Sequence, residues 1–140
     1  MRILSYFKQK FYEERKRKSG LSFPLFCKIY GVTKLDRQGA IVQSGEGDEL
    51  QIVHIPLKAY PYNIYVYSVD LHRILGHLDE TLSQKLIYAF GKGLCIDAEI
   101  TNVTGGPPEY EHYGCNIRIS ETRSMMTPYL DDLPHLYGQG

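Results

Sequence analysis

Four tyrosines, Tyr60, Tyr62, Tyr65 and Tyr67, fall in the run K-A-Y-P-Y-N-I-Y-V-Y at 58–67. A phenol ring offers a flat π face and a polar edge, and a nucleic-acid base stacked on such a ring gains about 1–3 kcal/mol. Strand alternation puts Tyr65 and Tyr67 on one face, where they read as packing residues. Tyr60 and Tyr62 precede the strand and read as surface residues suited to stacking. Lys28, Lys34, Arg37, Lys58 and Arg118 sit in loops or edge strands where a phosphate could be met; the competing reading of each is a solvated side chain. Equipment for catalysis is missing. There is no G-x-S-x-G, phosphate-binding loop or Cys–His signature, and Asp36, Asp48 and Asp97 have no visible partner for acid–base work. His54, His72, His77, His112 and His135 lack metal-ligand spacing. The expectation is a non-enzyme with no metal and no cofactor. Cys27, Cys95 and Cys115 are odd in number, form no C-x-x-C, and lie in apolar, strand-like contexts, so they read as reduced, small, buried hydrophobes.

The elements that must position these residues follow from periodicity. Residues 2–18 read as an amphipathic helix with Leu4, Phe7 and Phe11 in its apolar stripe and Ile3 and Tyr12 widening it. Arg15–Lys18 makes its last turn basic, and Ser19-Gly20 ends it. The stripe is free to dock on the domain, to meet a partner chain or to lie on a membrane surface. Strands are expected at 26–30, 49–55, 63–69, 94–103 and 113–119, with shorter segments at 39–43 and 74–75. Asp79 caps a helix that buries Leu82, Leu86, Ile87 and Phe90 and stops at Gly91 or Gly93. The fold class is therefore mainly β: a small barrel of about six strands, OB-like or SH3-like, with one helix inserted after the fifth strand and an amphipathic helix in front.

At 140 residues the chain holds one domain that needs no disulfide or metal to be stable. The divisions read as an N-terminal basic helix at 1–20, a barrel at 21–120 and a tail at 121–140 carrying Pro128 and Pro134. The formal net charge of zero hides an asymmetry: residues 1–18 carry seven basic against two acidic side chains, and the rest nine against fourteen. An anionic partner is drawn first to the N-terminal segment. No apolar run reaches the ~20 residues of a membrane span, and Ser5, Lys8 and Lys10 break the first apolar stretch, unlike a signal peptide. A cytoplasmic location is expected.

Five pieces in order resemble the HIRAN domain over about residues 24–120. K-I-Y-G-V-T-K-L-D-R-Q is similar to its opening strand, and G-D-E-L-Q-I to its Gly-Asp turn. K-A-Y-P-Y-N-I-Y-V resembles the N-P-Y-D-x-N-A-I-x-V segment. I-L-G-H-L resembles the hydrophobic-Gly-hydrophobic turn, and A-E-I-T-N-V-T-G-G the late strand with its Gly pair. The resemblance implies a modified oligonucleotide-binding barrel, found at the front of SWI2/SNF2 helicase-like DNA repair proteins and as stand-alone bacterial proteins. It implies capture of single-stranded DNA at a free 3′ end, in an aromatic pocket beside an acidic residue. Tyr60 matches the segment's tyrosine and Asn63 its later asparagine. The acidic position falls on Pro61, and the basic-aromatic pair falls near Thr33 and Lys34. Tyr113 matches a pocket aromatic on the last strand.

Together these readings predict a non-catalytic module that binds nucleic acid, single-stranded DNA or DNA ends. Tyr60, Tyr62 and Tyr113 would stack bases, Thr33, Lys34, Arg37 and Lys58 would meet the backbone, and Asn63 would orient the binding loop. The alternative is a protein-interaction module that works with a separate helicase or nuclease, meeting it through the apolar N-terminal helix and the tail.

Overall fold

The computed structural model describes residues 2–91, Leu94 and 96–122, with side chains from Lys10 onward. The expected tail lies outside the described residues from 123 on, as does Cys95. The fold is mainly β. Six strands, β1 (Leu25–Lys28), β2 (Glu49–His54), β3 (Ile64–Ser68), β4 (Arg73–His77), β5 (Ile96–Gly105) and β6 (Tyr113–Glu121), form one antiparallel sheet in the order β1-β6-β5-β2-β3-β4.

Alternation dictates the core. In β3, Ile64, Val66 and Ser68 turn inward while Tyr65 and Tyr67 stay half-buried on the other face. Val66 lies opposite Ile52 of β2 and Gly76 of β4, so inward-facing positions coincide across the sheet. Ile41, Leu75, Leu86, Ile100, Ile117 and Ile119 are buried around them.

The sheet curls into a half-barrel whose two edges meet at one point. Beyond β1, Ile29 N–H donates to Cys115 O on one side (3.0 Å). On the other side Tyr30 and His77 exchange N–H···O bonds of 2.8 and 2.9 Å. Gly76 permits this approach, because a Cβ there would lie 2.4 Å from Tyr30 O.

Among the described residues three helices accompany the sheet, one more than expected. α1 (Arg2–Ser19) and α3 (Glu80–Phe90) fall where the periodicity put them. The Asp79 carboxylate accepts from Leu82 N–H at α3's start, and Gly91 ends it at φ 68. The segment expected as a strand at 39–43 is instead helical, α2 (Arg37–Val42). Ala40 and Ile41 are its buried face, packed against β4 and β6. As a result α3 follows the fourth strand rather than the fifth.

α1 docks on α3. Tyr12 is buried with its ring centroid 4.8 Å from that of Phe90, and its hydroxyl donates to Glu121. The Lys16 ammonium lies 3.2 Å from the same carboxylate, and the Arg15 guanidinium lies over Tyr88. Among the described side chains of α1, Tyr12 is the buried one. Phe11, expected in the stripe, is 60% exposed, and the side chains of Leu4 and Phe7 lie outside the description.

Candidate nucleic-acid interface

The loop joining β2 to β3 is held by its own backbone. Ile55 N–H donates to Asn63 O, and Asn63 Nδ2 donates back to Ile55 O, at 3.0 and 3.1 Å. Leu57 and Tyr60 exchange N–H···O bonds of 3.0 Å, and His54 Nε2 lies 3.0 Å from Pro61 O. Short reciprocal bonds of this kind fix a loop, so Tyr60 and Tyr62 are presented as exposed rings on a firm base. The Asn63 side chain thus ties the two ends of the loop together.

These rings form one wall of a cleft of about 240 Å³. Lys34 and Arg37 also line it, from the segment that leads from β1 into the start of α2. Tyr65 and His77 come from the sheet, and Glu80 and Ser83 from the first turns of α3. Five of the predicted residues thus converge here: Lys34, Arg37, Tyr60, Tyr62 and Asn63.

Arg37 dominates the electrostatics. It is only 7% exposed, its Nη1 donates to Gly31 O (2.8 Å) and its guanidinium sits 5.8 Å from the Tyr65 ring centroid. The adjacent acid, Asp36, is turned away into an ion pair with Arg73. Among the described residues no carboxylate pairs with Arg37. Burying a charge costs several kcal/mol of solvation, which one carbonyl and one ring offset only in part. An anion entering the cleft would supply the missing counter-charge.

Two further groups are tuned to the cleft. His77 Nδ1 lies 3.0 Å from Leu78 O, and because a carbonyl only accepts, the neutral ring carries its proton on Nδ1. Its ring rests against Gly31, where a Cβ would come within 2.6 Å of it. Ser83 is 1% exposed and its hydroxyl has no hydrogen-bond partner among the described residues, an unusual state for a buried polar group.

The remaining predicted residues lie elsewhere. Thr33 and Tyr113 line a second, wider groove of about 560 Å³. Tyr113 is half-buried there: its N–H donates to Gln38 Oε1 (2.8 Å), and its ring occupies the space a Gly106 side chain would need. Lys58 is exposed and lines neither cavity. Of the other cations, Lys28 holds its ammonium 5.1 Å from the Tyr30 ring centroid, and Arg118 is paired with Glu99 away from the cleft.

Sequence reasoning missed Leu57, His77, Glu80 and Ser83 as lining residues. Ser83 did leave a signal: a hydroxyl at i+4 from the capping Asp79, on the face that carries Leu86 and Phe90. Glu80 lies in the first turn of α3 and carried no separate signal.

Burial pushes the Cys27 and Cys115 thiols up to about 11, with the charges of Asp79 and Asp48 adding respectively. Both are protonated, weak nucleophiles at neutral pH. Among the described residues no group of three or more His, Cys, Asp or Glu is placed to hold a metal, and no helix is long and apolar enough to cross a membrane. No protein-family model matches the chain, and neither the curated proteins nor the solved structures contain a match to it.

Proposed function

We propose that this chain is a HIRAN-like, OB-like module that binds single-stranded nucleic acid, taking the terminal nucleotide of a DNA strand into the cleft between the 55–63 loop and α2. The observation that carries the reading is Arg37, a buried cation with no carboxylate partner among the described residues, lining one cleft with exposed aromatic rings. Anion, π face and limited volume describe one nucleotide: a phosphate for Arg37 and Lys34, and a base for Tyr60 and Tyr62. Glu80 supports the same reading. It brings a carboxylate to the cleft, where the resemblance expects an acid for the terminal hydroxyl and the chain has Pro61 instead. Against the alternative, a protein partner met through α1 and the tail, stands the engagement of Tyr12 of α1 with Phe90 and Glu121.

Fluorescence anisotropy with labelled single-stranded oligonucleotides, free or blocked at the 3′ end, tests this. Binding is expected to weaken steeply as salt rises, to fall about 5- to 150-fold with Tyr60→Ala and to drop when the end is blocked. Absence of binding even at low salt would overturn the reading and favour the protein-interaction module.

A further inference from the structure

The cleft does not stand alone. The segment Gly31–Lys34 is a thin partition: Lys34 lines the cleft, while Gly31, Val32 and Thr33 line the second groove. At the closing bridge the rings of Tyr30 and His77 stack with centroids 6.4 Å apart, and Tyr30 belongs to the groove and His77 to the cleft. The two cavities therefore meet across one aromatic pair.

The groove is more than twice the cleft's volume, about 560 against 240 Å³. Its rings are accessible. Tyr110 is 63% exposed, Tyr30 is also exposed, and Lys28 holds a cation above the Tyr30 face. Glu109 and Glu111 flank Tyr110 in sequence but do not line the groove. Gly105 and Gly106, at φ 72 and 92, turn the β5–β6 connection back so that Tyr110 stands at the groove's edge. Exposed π faces next to a cation, continuous with an aromatic cleft, suit stacked bases with a phosphate between them.

Resting on the function proposed above, we infer that the groove holds the nucleotides next to the terminal one, so that the ligand is an oligonucleotide crossing the Tyr30–His77 pair rather than a free mononucleotide. Tyr30 and Tyr110 stack its bases, and Lys28 meets its backbone.

The test is a length series on the full chain: oligothymidylates of two, four and six nucleotides by anisotropy, with thymidine 5′-monophosphate as a competitor. Affinity is expected to rise from the mononucleotide to the four-mer and then level off. Tyr110→Ala is expected to remove about 5- to 150-fold from the four-mer while leaving mononucleotide competition unchanged, and Lys28→Gln to flatten the salt dependence of the four-mer only. Equal affinity at every length, or a Tyr110→Ala loss shared by the mononucleotide, would overturn this inference and leave the cleft reading standing. Failure of every ligand to bind would overturn both.

Discussion

Arg37 and Ser83 are buried polar side chains that border the same cleft; among the described residues Ser83 has no hydrogen-bond partner and Arg37 has no carboxylate partner. An unpaired buried hydroxyl costs about 1–3 kcal/mol, and deleting it removes that penalty. Ser83→Ala is therefore expected to leave stability unchanged or raise it by about 1 kcal/mol in urea melts. A loss above about 1 kcal/mol would mean that the hydroxyl has a structural partner. The sequence made the identity of Arg37 visible as a candidate cation, but not its burial. Burial arises because α2 turns the side chain under Tyr65, a tertiary contact with no local signature. Tyr60 and Tyr62 were legible as surface rings because they precede the alternating strand and no partner strand covers them.

At the level of elements, the strands were legible wherever alternation ran for five residues or more, as in Ile64–Ser68. α2 was not. Its R-Q-G-A-I-V carries Gly39 and two β-branched residues, which argue for a strand, and six residues are too few to show a helical period. Tertiary packing of Ala40 and Ile41 overrides that local preference. Two glycine substitutions check the consequences. Gly39 has nothing within 4 Å of an added Cβ, so Gly39→Ala is expected to stabilise by about 0.5–1 kcal/mol, as in a helix interior. Gly76→Ala would press a methyl into Tyr30 O and part the bridge between the sheet edges. It is expected to destabilise by about 2–3 kcal/mol, with amide exchange at Tyr30 and His77 accelerating most. A strand at 37–42 or an open sheet edge would reverse these signs.

For the whole molecule, the charge asymmetry read from the sequence takes a definite form: the basic turn of α1 is held against the β-rich body through Lys16 and Glu121. Alkaline titration probes the body as a unit. Cys27 and Cys115 keep their protons to about pH 11 in the folded chain, against 9.0 when unperturbed, and burial beside Glu121 raises Tyr12 as well. The folded state thus binds more protons than the unfolded chain between these values. The stabilisation is fully present below pH 9 and is lost as pH rises toward 11, by at most about 1.4 kcal/mol per pH unit for each thiol. Urea melts across that range should show the decline, and Cys115→Ala should make it shallower. A flat profile would contradict the burial of these thiols.

The central claim is that Arg37 is a buried cation kept for an anionic ligand. It is tested most directly by comparing the chain with Arg37→Met in two parallel measurements: affinity for a single-stranded oligonucleotide at low salt, and stability in urea. Affinity is expected to fall at least about tenfold, while stability holds or rises because a buried charge with no carboxylate partner among the described residues has gone. Oligonucleotide binding that is unchanged by Arg37→Met would contradict the claim.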